Sequence, residues 1–433
     1  MMLFGFRGGA HRAPRLHRVR RVRAFSIVFA VALLAFAAPS RAWHRLPPGI
    51  DGWQEAGYPG IRGVTIGPIE NSLFPGRGYG TESSAALLDH LAREGVTWVS
   101  ITPFGRIWDL RSTEIVMDFE APWEENRAAI RTMVQQAHER GIRVLVIPHL
   151  WVETGGWRGE IDPGTPEGWA DFQASYRRFV TAWAREAAAA GADAMSIGVE
   201  CKSWSGRYGG VWRSMIDEVR TIFPGLLTYS ANWDEAEDVL FWDQLDLVGI
   251  NAFYPLASQP RASFEDYVRG AMAARQSVGE LAEVLDMPVL FVEVGYTTRT
   301  DAAVEPWLWP DGMEGVVVDE AEQARALLAS FRAFLPEPWF TGFFVWRYYA
   351  DLDDVSQEAV WGFSPHGKRA ATVLRRVYRS PWGVDAAPYA VPDGPPGGSW
   401  ADAVSSIERW TGSTVVDRPP VAAPLAPPSA PAP

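Results

Sequence analysis

Two glutamates each close a short hydrophobic run: Glu200 ends Ala194-Met-Ser-Ile-Gly-Val-Glu200, and Glu293 ends Pro288-Val-Leu-Phe-Val-Glu293. A carboxylate beside packed apolar side chains is costly unless it is partnered or used. A pair of carboxylates facing one pocket is the equipment for cleaving a glycosidic bond. About 5 Å apart, one carboxylate acts as nucleophile and configuration is retained; at ~6.5–9.5 Å a water fits between them and configuration inverts. The bland alternative for each glutamate is an ion-pair partner at the mouth of a folded core.

Aromatic residues supply a second signal. The chain has 21 Trp, and Trp108, Trp151, Trp157, Trp204, Trp233, Trp346 and Trp361 follow apolar runs. Sugar rings pack their C–H faces on aromatic rings, while their hydroxyls need amide, carboxylate or imidazole partners. Such partners also follow apolar runs: His149, Asn232, Asn251 and Tyr254. With Trp151, Trp233 and Trp346 they form a candidate substrate-binding set. Any one Trp is more readily explained by core packing, so the weight lies in the cluster. Metal chemistry is disfavoured, because His44, His90, His138, His149 and His366 show no paired ligand spacing. No Gly-x-Ser-x-Gly elbow or P-loop occurs. The carboxylate chemistry requires no metal or cofactor.

The elements that must position these groups repeat about eight times as strand, loop and helix. Strands are expected near 63–66, 96–102, 143–148, 194–199, 226–231, 247–251, 289–293 and 342–346. Most are continuous Val/Ile/Leu/Phe runs, the mark of parallel strands buried on both faces. Helical spacing runs through 85–94, 124–140, 167–190, 211–223, 264–285, 320–334 and 368–378, with a weak segment at 235–242. Gly95, Gly141 and Gly191 stand where helices should stop. The pattern predicts an α/β chain folded as a (β/α)8 TIM barrel, with Glu200 and Glu293 at the ends of strands 4 and 7. A doubly wound open sheet is the alternative. It lacks a Gly-rich turn after the first strand, and Gly76-Arg-Gly78-Tyr-Gly80 is too compact to serve as one.

Composition divides the chain further. Residues 1–42 carry eight Arg and no acidic residue, with an apolar run from Ala24 to Ala38 and small residues Ser40 and Ala42 at its exit. This is the pattern of a secretory signal peptide, which places the protein outside the cytoplasm or in the periplasm; an uncleaved N-terminal anchor is the alternative. Residues 43–382 are assigned to the barrel and 383–433 to an extension ending in a Pro/Ala-rich tail, with one amphipathic helix expected at 396–412. Without the leader, 32 basic residues face 52 acidic ones, so the formal charge is about −20. That argues against nucleic acid or anionic lipid as partner. The single Cys201 rules out an intramolecular disulfide and is expected to pack as a small apolar side chain. No oligomeric state follows from the sequence.

At the residues already singled out the chain resembles glycoside hydrolase family 113, a β-mannanase family in the large clan of retaining barrel glycosidases. The segments Ser196-Ile-Gly-Val-Glu200, Leu227-Thr-Tyr-Ser-Ala-Asn-Trp-Asp234, Phe241-Trp-Asp-Gln-Leu-Asp-Leu-Val-Gly-Ile-Asn251, Phe291-Val-Glu-Val-Gly-Tyr296 and Phe363-Ser-Pro-His-Gly-Lys-Arg-Ala370 carry it. It spans about Gly63 to Tyr378. The resemblance implies Glu200 as general acid/base and Glu293 as nucleophile. Glu200 then needs a raised pKa and Glu293 hydrogen-bond donors, with Tyr254 or Tyr296 expected to donate. Many clan members carry Asn just before the acid/base, where this chain has Val199. The implied function is a secreted endo-mannanase-like hydrolase of β-linked polysaccharide, β-1,4-mannan first. The alternatives are another β-glycan, transglycosylation, or a non-catalytic glycan-binding barrel at the cell envelope.

Overall fold

The computed structural model describes residues 60–69, 74–308, 315–353 and 361–379. The leader, the C-terminal extension and its expected helix lie outside the described residues. Ten strands occur in chain order: β1 Ile61–Gly67, β2 Trp98–Ile101, β3 Phe104–Ile107, β4 Arg143–Val146, β5 His149–Val152, β6 Ala194–Val199, β7 Leu226–Asn232, β8 Val248–Asn251, β9 Val289–Val294 and β10 Phe340–Tyr349. Eight of them close a barrel in the order β1-β10-β9-β8-β7-β6-β4-β2. Every barrel pairing is parallel. The expected (β/α)8 barrel is therefore the fold.

Apolar side chains serve both faces of these strands. Ile61, Trp98, Leu145, Ile147, Val199, Leu290, Val292 and Phe344 belong to a cluster distinct from the large one that packs strands against helices. The barrel thus carries a filled core rather than a pore. Val199, directly before Glu200, belongs to that smaller cluster.

Eight helices connect or flank the strands: α1 Glu82–Glu94, α2 Trp123–His138, α3 Pro166–Ala190, α4 Lys202–Ser205, α5 Gly209–Ile222, α6 Phe264–Leu285, α7 Glu320–Phe334 and α8 Arg369–Tyr378. Their limits follow local chemistry. Thr165 caps α3 by accepting the Gly168 N–H, Pro166 opens it, and Gly191 ends it at φ 74°. Ser263 and Asp266 form a reciprocal capping box on α6. The weak segment at 235–242 is not a helix but two short 3-10 turns, Ala236–Asp238 and Trp242–Gln244.

The strands β3 and β5 depart from expectation. They pair with each other, Phe104 opposite His149 and Arg106 opposite Trp151, in a two-stranded parallel ribbon outside the barrel sheet. Each follows a proline, Pro103 or Pro148. Proline has no N–H for the ladder, so the barrel pairing of β2 and β4 ends there and resumes one step on as the ribbon. The His149 N–H bonds the Pro103 carbonyl at 2.9 Å to start it.

Candidate active site

Glu200 and Glu293 stand at the C-terminal ends of the fourth and seventh barrel strands, β6 and β9, and both are buried. Glu200 adopts φ 49°. A non-glycine residue pays about 1–3 kcal/mol for that left-handed conformation unless its surroundings hold it there. Here they do. The Glu200 N–H bonds the Ser230 carbonyl at 2.8 Å, and the next N–H, of Cys201, bonds the Tyr229 hydroxyl at 2.7 Å. That hydroxyl donates in turn to Glu235 Oε1 at 2.5 Å, and the same oxygen accepts from Ser205 Oγ at 2.5 Å. Glu235 Oε2 accepts the Asn232 N–H at 3.0 Å. Burial, with the nearby charge of Glu200, pushes Glu235 up to about 7 despite these donors.

Both carboxyl oxygens of Glu200 are engaged. Oε2 accepts the Trp157 indole N–H at 2.9 Å, and Oε1 accepts Asn251 Nδ2 at 3.0 Å. Arg158 Nη2 lies 3.9 Å from Oε2. Trp157 folds back over Gly159, where an added Cβ would meet the indole ring at 2.5 Å, so only glycine permits that approach.

Glu293 is treated differently. Its Oε1 lies 3.1 Å from His149 Nε2, and the Asn251 amide also hydrogen-bonds it. Burial and the charge of Glu200 raise Glu293 well above the usual carboxylate range, opposed by the positive charges of Arg158 and Arg347. Burial and Arg158 push His149 down to about 3, so its ring is neutral. The ring Nδ1 lies 2.9 Å from the Ile147 carbonyl, which can only accept, so Nδ1 carries the hydrogen. Nε2 is then an acceptor, and the hydrogen bond to Glu293 requires the proton on the carboxyl. The geometry and the direction of the pKa agree.

Asn251, fully buried at the end of β8, donates Nδ2–H to Glu200 Oε1 and opposes the rise in the Glu293 pKa. Its Oδ1 is buried without a hydrogen-bond partner. A flipped amide would set oxygen against Glu200 Oε1, so the amide is fixed with its nitrogen toward Glu200. Trp346 stacks on His149 with centroids 6.1 Å apart and 29° between planes.

The other expected residues are spread around this centre. Trp151, on the ribbon, is half exposed. Asn232 bonds Asp234 through its side chain at 2.7 Å and reaches neither Glu200 nor Glu293. Trp233 stacks on Trp307 at 5.5 Å and borders Tyr254 at 5.7 Å. The expectation that Tyr254 or Tyr296 donates to Glu293 is not met. Tyr254 packs its ring between Trp233 and Phe291. Tyr296 lies past the end of β9, where strand alternation no longer aims side chains, and its hydroxyl bonds Ser330 of α7 at 3.2 Å. The partner found at Glu293 Oε1 is instead His149 Nε2. Trp204 and Trp361 are buried, and Trp204 stacks on Trp212 at 4.1 Å, so neither offers a face to a ligand. Cys201 is buried, its thiol pushed up to about 12 by burial, and is inert.

Sequence reasoning missed Glu235, Tyr229 and Arg158 and left Trp157 unassigned. The signal for Glu235 was its place three residues after Asn232, behind a strand end. Among the described residues no group of three or more His, Cys, Asp or Glu could hold a metal ion.

Comparisons with known proteins agree with this geometry. Residues 74–368 match the model of Glycoside Hydrolase Family 113. The chain is similar to the β-mannanase of that family from Alicyclobacillus acidocaldarius solved with ManMIm, at 28% identity and TM-score 0.63, covering 74% of this chain and 97% of that one. A second structure, a family 113 β-1,4-mannanase, aligns at 23% identity and TM-score 0.63 over 75% and 100% of the two chains. A family 5 mannosidase from Rhizomucor miehei shares the fold alone, at 10% identity and TM-score 0.54 over 76% and 95%. A search of curated proteins finds no significant match. With the family model spanning most of the sequence and a buried glutamate pair at the barrel mouth, the chain belongs to Glycoside Hydrolase Family 113 and is a glycoside hydrolase.

Proposed function

We propose that the protein cleaves a β-linked polysaccharide, β-1,4-mannan first, outside the cytoplasm and with retention of configuration. The observation that carries this reading is the buried pair Glu200 and Glu293 at the C-terminal ends of β6 and β9, with Asn251 Nδ2 3.0 Å from Glu200 Oε1 and His149 Nε2 3.1 Å from Glu293 Oε1. Retention is the outcome expected of the clan of barrel glycosidases that the sequence resembles, in which the second carboxylate is the nucleophile. Mannan is favoured by similarity to the Alicyclobacillus acidocaldarius β-mannanase. Export rests on the Arg-rich, apolar, small-residue order of residues 1–42.

In this mechanism Glu293 attacks the anomeric carbon while Glu200 protonates the leaving oxygen; Glu200 then takes a proton from the water that releases the sugar. Burial favours the protonated form of Glu293, which must give up that proton before it attacks. The buried Asn251 Oδ1, which has no hydrogen-bond partner in the protein, accepts a hydrogen from the hydroxyl next to the reacting carbon. This supplies the hydrogen-bonding function that Val199 cannot.

The test is release of reducing sugar from mannan, glucomannan and other β-linked polysaccharides, with Glu293→Ala as control. Turnover of mannan that vanishes in the variant supports the whole reading. Turnover of a different glycan alone keeps the mechanism and discards the substrate. Silence on every polysaccharide, with glycan still bound, makes the barrel a binding protein.

A further inference from the structure

We propose that Glu235 is a positioning residue for the proton donor: it closes a ring of hydrogen bonds around the backbone of Cys201 and so fixes the turn that carries Glu200. The proposal rests on the glycosidase reading of the Glu200–Glu293 pair and deepens it, because it gives a part in that reaction to a carboxyl that never meets the sugar.

The ring uses both backbone polar groups of one residue. The Cys201 N–H bonds the Tyr229 hydroxyl at 2.7 Å, and the Cys201 carbonyl accepts the Ser205 N–H at 2.9 Å. The Tyr229 hydroxyl and Ser205 Oγ then converge on Glu235 Oε1, each at 2.5 Å. Cys201 is thereby gripped on one side by β7 and on the other by α4, and a single carboxyl oxygen joins the two grips. The second oxygen, Oε2, accepts the Asn232 N–H at 3.0 Å and ties the ring to the end of β7. Glu200 comes one residue earlier, at φ 49°, so a fixed Cys201 opposes the return of its backbone to the right-handed region.

The residue type fits this work better than it fits filling space. Glu235 is 1% exposed, and a carboxyl is costly to bury. A position that needed only volume would hold an apolar side chain without that cost. An apolar side chain could not accept from two hydroxyls on one atom, whereas a carboxyl or an amide oxygen can. The Glu200 carboxyl has its own partners, Trp157 and Asn251, so the head of the proton donor and its root are held separately. Loss of Glu235 leaves the hydroxyls of Tyr229 and Ser205 without their shared acceptor and frees the root alone.

The test compares kcat/KM on two substrates: the polysaccharide that the wild type cleaves, and a dinitrophenyl glycoside of the same sugar chain, whose leaving group departs without a proton. In Glu235→Ala the value on the polysaccharide should fall about thirtyfold and that on the aryl glycoside about threefold or less. Glu235→Gln keeps an oxygen for both hydroxyls and should recover most of the loss. Adding Tyr229→Phe to Glu235→Ala should lower the rate little further, because the ring is already open. A damaged fold would lower both substrates together, and glutamine would not rescue one of them selectively. Equal deficits on the two substrates, or none, in a wild type that cleaves both, overturn the positioning role and leave the hydrolase reading standing. A wild type that cleaves neither overturns the hydrolase reading and this role with it.

Discussion

The two walls of the proposed catalytic centre are built on different principles. Glu293 is the penultimate residue of β9 and is governed by what surrounds its carboxyl: burial, a neutral imidazole and one amide. Glu200 sits on a left-handed turn and is governed by what supports its backbone, a chain running from Cys201 through Tyr229 to Glu235. One wall tunes chemistry and the other holds position. The largest test of that contrast removes the carboxyls themselves. Glu293→Ala should lower kcat by about 10⁴-fold or more on every substrate, because no covalent intermediate can form. Glu200→Ala should cost ~10²–10⁴-fold on a polysaccharide but much less on an aryl glycoside whose leaving group needs no proton. Steady-state kinetics on the two substrate types reads this directly, and an interchange of the two patterns would reverse the roles.

That contrast also explains what could be read from the sequence. The eight barrel strands were legible because each is buried on both faces and leaves a continuous Val, Ile or Leu run, and Ala194–Val199 fell where its pattern ends. The glutamate pair was legible for the same reason, as a charge closing an apolar run. The ribbon was not. Phe104-Gly-Arg-Ile and His149-Leu-Trp-Val are four residues long, alternate between faces, and stand behind prolines that read as strand ends. The support behind Glu200 was hidden for another reason. Glu235 follows Trp233 and Asp234 in what reads as a solvent loop, and its burial comes from Ser205 and Tyr229, brought by a different helix and strand. Tyr296 misled because the rule that side chains alternate stops where the strand stops, and Gly295 intervenes.

The supporting wall has its own pH signature. Glu235 has a folded-state pKa of about 7 against an ordinary 4.5. Below pH 4.5 it is protonated folded or unfolded, and its full contribution is present. As pH rises toward 7 the unfolded chain ionises first, so stability is lost, and the loss levels off above 7. The wild type should therefore decline relative to Glu235→Gln by roughly 3 kcal/mol between pH 4 and pH 8. Denaturant unfolding of both proteins at the two pH values checks it. A constant offset between them, whatever its size, would mean that folding leaves the Glu235 pKa unshifted.

The smallest expected effect probes the link between support and position. Tyr229→Phe removes one oxygen, and with it the acceptor for the Cys201 N–H and the donor to Glu235. Both partners stay buried, so the loss should be about 1–3 kcal/mol of stability rather than the smaller net value of a hydrogen bond surrendered to water. The turn at Glu200 keeps its bond to Ser230 but loses the next one, and its carboxyl should drift from the leaving oxygen. A drift of that kind lowers kcat about tenfold while leaving KM nearly alone, since the sugar is held by other groups. Because the misplaced group is the proton donor, the deficit should shrink on an aryl glycoside with a good leaving group. A deficit equal on both substrates would place the damage at Glu293 instead, and the two walls would then be one mechanical unit.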